Sequence, residues 1–400
     1  MVEYMRKGRN STRPGPFPPF ESDMPDALPA EPQRIVIVTT ELGMGGAERC
    51  VANLASRLNR EKYQVQVVAL ATPPEPPRDG LVRQLHEAGV PLTFLNCRRS
   101  WQFFSATRQL RRIVQDTQPA VLWSFLFHAN VVATLAARGL PVRRLQALRV
   151  IEQGRWRRKL QAWVAAKADR VLCVSEGVRQ FAETTLGISP EKLAVIANGI
   201  DVAAIEPTIY SAPIDRKMRM IAVGRLDPQK DYPTMLQSVS WQLRNHDDWE
   251  LVIVGNGPER SSLETLVHTL GVSGRVRLVG WQPDIQTWLQ DSEIYLLTSR
   301  WEGMPNALIE AMAHGLPVVT TDVEGVAELL PGSLGRQVAT RQEFLDRRTI
   351  LDDLMENPSL RQQFGQVNRV QIQEHFSLQQ MVQQYEALLD DLLSSKNMQR

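Results

Sequence analysis

The residues best suited to chemistry are two glutamates. Glu302 and Glu310 lie in the run W-E-G-M-P-N-A-L-I-E, with seven residues between them. The apolar stretch Ile294–Leu297 before them reads as a strand, so Glu302 falls on the turn that follows. Pro305 suits the first turn of a helix, where its missing N–H costs nothing. Glu310 then sits inside that helix, which Gly315 and Pro317 close. The N–H groups of Met304, Pro305's neighbour Asn306 and Ala307 lie at the helix start and favour an anion. A carboxylate beside them accepts hydrogen bonds from sugar or ribose hydroxyls, and a second lies further along. This suits a phosphorylated, hydroxyl-rich ligand. A single glutamate at a helix start is also a common partner of the helix dipole, so the motif gains meaning only from what accompanies it.

Several companions follow other predicted strands. After Met220–Val223 comes G-R-L-D-P-Q-K-D, which places Arg225 and Lys230 ahead of a helix starting near Tyr232. A planar guanidinium and a mobile ammonium together suit a diphosphate, although singly each would be an ordinary solvated charge. Gly255 and Asn256 open G-N-G-P-E, a turn that allows close approach of a ribose or a flat ring. Gly280, between Val279 and Trp281, follows the next strand and is placed to border a base. After the first strand, T-T-E-L-G-M-G-G-A-E brings Gly45 and Gly46 to the start of a helix. A dinucleotide fingerprint requires glycine where this chain has Glu48, so an NAD-type site is disfavoured. His128 follows the strand Val121–Phe125 and is expected to face the same cleft. The remaining histidines show no metal spacing and no D-x-D occurs, so a carboxylate-held metal is not expected. There is no G-x-S-x-G elbow.

These residues need two repeats of alternating strand and helix to position them. Strands are predicted at 35–39, 65–70, 92–95, 121–125, 144–148, 171–175 and 193–196, then at 220–223, 250–254, 276–278, 294–297 and 318–320. Helices fall between most of them, including 101–115 and 156–168, and two more are predicted at 344–364 and 378–393. The fold class is therefore α/β, with two doubly wound Rossmann-like domains facing each other across a cleft. Residues 1–30, rich in proline, read as a disordered leader. Residues 31–205 form the first domain, 206–377 the second, and 378–400 a terminal helix packing back on the first. The hinge is expected near Ile205–Asp215.

The chain has 400 residues, 43% hydrophobic, with a net charge of +2. Residues 31–205 carry 24 Lys/Arg against 14 Asp/Glu, whereas residues 206–400 carry 18 against 26. A basic first half suits an anionic leaflet or a phosphorylated acceptor. No recognisable nucleic-acid motif accompanies it. Three scattered cysteines and the lack of a long apolar run point to the cytoplasm.

Taken in order, G-G-A-E, His128, N-G-I-D at Asn198–Asp201, Arg225 with Lys230, G-N-G-P-E and E-G-M-P-N-A-L-I-E resemble the retaining GT-B glycosyltransferases of the large bacterial family 4 type. The resemblance runs from about residue 34 to 393. It implies that Arg225 and Lys230 bind the donor diphosphate. Glu302 would contact the donor sugar with help from Gly303, Met304, Pro305 and Asn306, and Glu310 would hold the ribose. Gly45 and Gly46 would approach the donor phosphate and the acceptor, and His128 would border the reacting centre. It further implies a nucleotide-sugar co-substrate, no cofactor, and a saccharide or lipid-linked acceptor. Basic-aromatic clusters at Arg98–Arg112 and Arg155–Lys159 suit peripheral contact with the inner face of a membrane. Two alternatives share the scaffold: a nucleotide-sugar 2-epimerase, and a catalytically silent nucleotide-sugar-binding partner.

Overall fold

The computed structural model describes residues 31–97, 102–208 and 216–394. The first half runs β1 (Gln33–Thr39), α1 (Gly46–Arg57), β2 (Tyr63–Ala69), α2 (Gly80–Glu87), β3 (Leu92–Phe94), α3 (Phe103–Thr117), β4 (Val121–Phe125), α4 (Phe127–Ala136), β5 (Arg143–Leu148), α5 (Arg155–Ala166), β6 (Arg170–Cys173), α6 (Glu176–Thr184) and β7 (Leu193–Val195). The second runs β8 (Met218–Val223), α7 (Tyr232–Asn245), β9 (Trp249–Val254), α8 (Arg260–Thr269), β10 (Val276–Gly280), α9 (Gln286–Gln290), β11 (Ile294–Leu297), α10 (Asn306–Ala313), β12 (Val318–Thr321), α11 (Val326–Leu329) and β13 (Val338–Ala339). Four helices close the described chain: α12 (Arg341–Leu345), α13 (Leu351–Glu356), α14 (Pro358–His375) and α15 (Leu378–Ser394).

Every strand pairing is parallel, in the orders β3-β2-β1-β4-β5-β6-β7 and β10-β9-β8-β11-β12-β13. Parallel sheets are covered on both faces, which explains the unbroken apolar runs. In β1, Ile35 and Ile37 face a core with α1, α2 and α15, while Val36 and Val38 face α3 and α4. The strand order reverses between β1 and β4 in one sheet and between β8 and β11 in the other. At such a switch point the flanking helices diverge and leave a crevice at the carboxyl ends of the strands.

Three differences from the sequence reading have local causes. The strand β13 spans two residues, too few for a periodic signal. The predicted helix at 344–364 is instead three helices. Asn357 caps α14 by accepting from the Leu360 N–H at 3.0 Å, and Pro358 at its first position cannot continue α13. The helix α6 was not predicted, although Ser175 caps it. The leader, Arg98, Arg99, Trp101 and residues 209–215 of the expected hinge lie outside the described residues.

Helix α15 buries Leu378, Met381, Val382, Tyr385, Leu389 and Leu392, a stripe with helical spacing, in the core of the first sheet. The Tyr385 ring lies 5.1 Å from that of Trp123. Lys62 and Arg170 pair with Asp390 and Asp391, each at 3.1 Å. Replacing Tyr385 with alanine removes the largest side chain of this contact. It is expected to cost about 3–5 kcal/mol, read from urea unfolding, with Tyr385→Phe keeping most of the stability.

Candidate active site

Both switch points open on one cleft of about 1320 Å³, lined by both domains. On the second-domain wall, the loop after β8 is tied to the loop after β11. The Thr298 hydroxyl donates to the carbonyls of Lys230 and Asp231, both at 3.1 Å, and the Arg300 N–H donates to the Gln229 carbonyl at 2.8 Å. Asp231 is fully buried and accepts from Arg300, Arg341 and Thr234 at 3.1, 2.6 and 2.9 Å. Burial pushes its carboxyl up, but those three donors outweigh burial and hold it below the usual range.

This frame presents Lys230 to Glu302. Lys230 Nζ donates to Glu302 Oε1 at 2.5 Å, and Ser299 Oγ donates to the same oxygen at 2.7 Å. Gln229 Nε2 reaches Oε2 at 3.3 Å. Glu310, one turn inside α10, forms an ion pair with Arg49 of α1, across the cleft. Burial raises the Glu310 carboxyl and Arg49 opposes that shift. Arg225 extends into the cleft with its side chain 73% exposed, 3.7 Å from Asp227.

The domains touch where α1 and α10 begin. A Cβ on Gly46 would overlap the Asn306 side chain, and one on Gly303 would overlap the carbonyl oxygen of Arg149. Asn198 Nδ2 donates to Asn306 Oδ1 at 2.6 Å, and its own Oδ1 accepts from Arg149. Gly45, Met304 and Asn256 also line the cleft. So does Gly255, but its missing side chain makes room for the Gly224 carbonyl rather than for a ligand.

Three predicted site residues fall outside the lining. Gly280 ends β10 and accepts the Gly255 N–H at 2.9 Å. Pro305 precedes the first residue of α10 as its cap, and its carbonyl accepts from Leu308 at 3.0 Å. His128 stands exposed on the first turn of α4, edge-on to Phe127, with Arg157 and Glu152 as its charged neighbours. Although its surface is open, partial desolvation by the surrounding protein first and Arg157 second lower its pKa, against the pull of Glu152. The turn before it holds Leu126 at φ 72, a conformation strained for leucine, and Leu126 takes the place on the cleft wall.

Other lining residues were missed. Arg149 directly follows β5, so the rule that selected Arg225 also points to it. Arg49 lies inside a helix and carries no such signal. Arg78, after β2, stacks over Trp281 of the second domain at 5.4 Å.

Two adjacent stretches match known sequence families: residues 44–204 match Glycosyltransferase Family 4 and residues 217–348 match Glycosyl transferases group 1. The chain belongs to this glycosyltransferase family. A UDP-Gal:alpha-D-GlcNAc-diphosphoundecaprenol alpha-1,3-galactosyltransferase of Escherichia coli is 30% identical over 42% of the chain and 46% of that protein, so the match spans about half its length. An uncharacterized glycosyltransferase of Haemophilus influenzae is 25% identical over 86% of the chain and 96% of that protein. Among solved structures, Anabaena HepE in complex with UDP and glucose superposes with a TM-score of 0.77 at 18% identity, over 90% of this chain and 99% of that one. The glycosyltransferase fold is thus two Rossmann-like α/β domains of the GT-B type.

One further carboxylate of this glycosyltransferase stands apart. Glu48, in the first turn of α1, lines the cleft yet is buried, and burial raises its pKa to about 7. Its ordinary value is 4.5. Between those values the folded chain keeps a proton that the unfolded chain has released. Its contribution to stability is therefore present below pH 4.5 and falls as pH rises toward 7. The loss amounts to roughly 3 kcal/mol. Glu48→Gln removes the titration, so the variant is expected to gain on wild type by up to that amount between pH 4.5 and pH 8. Denaturant midpoints at the two pH values measure it, and a constant difference would refute it.

Proposed function

We propose that this glycosyltransferase moves a hexose or N-acetylhexosamine from a nucleoside-diphosphate sugar to a saccharide or lipid-linked acceptor. In this reading the anomeric configuration is retained, no metal or cofactor takes part, and the product belongs to a surface polysaccharide or glycolipid. The observation that carries the reading is the pairing of Lys230 with Glu302 at 2.5 Å beside the N-terminus of α10. Each partner is held ready for a different part of one ligand. An arriving diphosphate takes Lys230 and Arg225, which frees the Glu302 carboxylate for the sugar hydroxyls. Glu310 receives the ribose. The second domain therefore takes the donor, and the first takes the acceptor.

The chemistry follows from charge placement. The bond from the anomeric carbon to the diphosphate breaks with its electron pair on the phosphate oxygen. Lys230 and Arg225 stabilise that charge as fixed cations. The acceptor oxygen bonds to the same face of the anomeric carbon, and its proton passes to the departing phosphate. The naming of UDP in the E. coli relative and in the HepE complex makes UDP-sugars the first donors to try.

Calorimetry with a panel of nucleotide sugars in EDTA tests the donor site. Wild type is expected to bind, Lys230→Ala to lose binding, and its kcat/KM to fall about 10²–10³-fold. Donor binding that needs a divalent cation would remove the metal-free part, and an inverted anomer by NMR would remove retention.

A lipid-linked acceptor suits one surface of the first domain. Phe104 on α3 and Trp156 on α5 are 81% and 64% exposed, flanking a small cluster of Phe127, Val131 and Val164. Arg155, Arg158 and Lys159 surround Trp156 in sequence. Among the described residues no helix is long and apolar enough to cross a membrane, so contact would be peripheral. The double variant Phe104→Ser/Trp156→Ser is expected to bind phosphatidylglycerol vesicles at least about fivefold more weakly. Unchanged co-sedimentation would refute the surface.

A further inference from the structure

The first-domain wall of the cleft holds a carboxylate that the donor chemistry does not use. Glu48 is 7% exposed, although it lines a cleft wide enough for a sugar nucleotide. A glutamate in the first turn of a helix is ordinarily a solvated partner of the dipole. Here it is folded back over the turn before it. A Cβ on Gly45 would overlap Glu48 Oε2, so the carboxylate occupies the space that the glycine leaves open. The only hydrogen bond it accepts among the described residues is from its own backbone N–H. Arg149 faces it at longer range and Glu41 adds repulsion. A carboxylate offers about four lone-pair directions, so most of its accepting capacity is left to whatever fills the cleft. With most of the side chain buried, few water molecules can reach those directions, and a ligand in the cleft can supply the donors.

The charge of that ligand's contacting part follows from the sign. An ionised carboxylate repels phosphate and accepts from hydroxyls, so Glu48 suits a neutral hydroxyl-bearing group better than the donor diphosphate. The second-domain groups Lys230, Arg225, Glu302 and Glu310 already account for the donor. What remains to be bound from the first-domain side is a neutral donor of hydrogen bonds, which the hydroxyls of a sugar supply.

We infer that Glu48 is the acceptor-binding residue, its carboxylate accepting hydrogen bonds from neighbouring hydroxyls of the sugar that receives the transferred residue. This rests on the transferase reading above. Arg149 acts through it as a positioning residue. Its guanidinium is held by Asn198 and lies 3.5 Å from the Tyr385 hydroxyl, and its charge favours the ionised form of Glu48 against burial.

The test uses the full chain, UDP-glucose and UDP-galactose as donors, and p-nitrophenyl hexosides and N-acetylhexosaminides as acceptors. Wild type, Glu48→Gln and Glu48→Ala are compared for donor Kd by calorimetry and for acceptor KM and kcat by product mass. The expected result is an acceptor KM raised at least tenfold in Glu48→Ala and less in Glu48→Gln, with donor Kd unchanged within twofold. The isosteric Gln variant keeps the side-chain volume and so guards against loss of fold. An unchanged acceptor KM, or a donor Kd that rises in parallel, would overturn the inference while leaving the transferase intact. Absence of donor binding by wild type would instead overturn the transferase reading itself.

Discussion

The starts of α1 and α10 meet across the cleft, and the rest of the site accommodates that meeting. Each helix end carries roughly half a positive charge from its unpaired N–H groups. Bringing two such ends together in a partly buried place is unfavourable unless negative charge stands nearby. Glu48 in the first turn of α1, and Glu302 and Glu310 around α10, supply it. The steric evidence is direct, because Gly46 and Asn306 approach so closely that a methyl group would not fit between them. An arriving anion is therefore not an addition to a balanced site. It strengthens a balance that the carboxylates hold only in part.

The ion pairs around this point are arranged for exchange rather than for stability. A buried pair seldom stabilises by much, since desolvation consumes most of its attraction. Lys230 with Glu302, and Arg49 with Glu310, thus contribute little as pairs but avoid the larger cost of an isolated buried charge. Each can give up its partner to a ligand group of the same sign with small net change. Asp231 is different. It is enclosed by Arg300, Arg341 and Thr234, and it lies behind the loop rather than in the cleft. Its task is rigidity, so that the exchange at Lys230 occurs at a fixed place.

How much of this was legible in the sequence depended on whether a residue acts through the local chain or through another domain. Apolar runs such as Val121–Phe125 and Ile294–Leu297 showed the parallel sheets because both faces are buried. The strand-end rule pointed to Arg225, Lys230 and Glu302, which sit within a few residues of β8 and β11 and line the cleft. The same rule pointed to His128, whereas Leu126, at φ 72 after β4, is the residue of that turn on the cleft wall. For another reason, Arg49 carried no signal and Glu48 entered only as the last residue of G-G-A-E. Their roles come from α10 and Arg149, more than a hundred residues away in sequence, and no local period reports such a meeting.

The two domains are joined twice, and this constrains how the cleft can move. The chain passes from the first domain to the second after β7 and returns between α14 and α15. At the crossing, Ile200 and Ser377 form a parallel bridge, with Ile200 N–H donating to Phe376 and Leu378 N–H donating to Ile200 at 2.9 and 3.0 Å. Helix α14 packs on α10, while α15 is sealed into the first core. Two connections side by side allow rotation about their common line far more readily than separation or sliding. Of the groups that meet across the cleft, Asn198, which donates to Asn306, stands next to Ile200 of that crossing in the chain. Arg78 and Trp281 meet on loops that are not part of the crossing. A rotation about that line therefore displaces the Asn198–Asn306 contact, next to the crossing, less than contacts that stand further out.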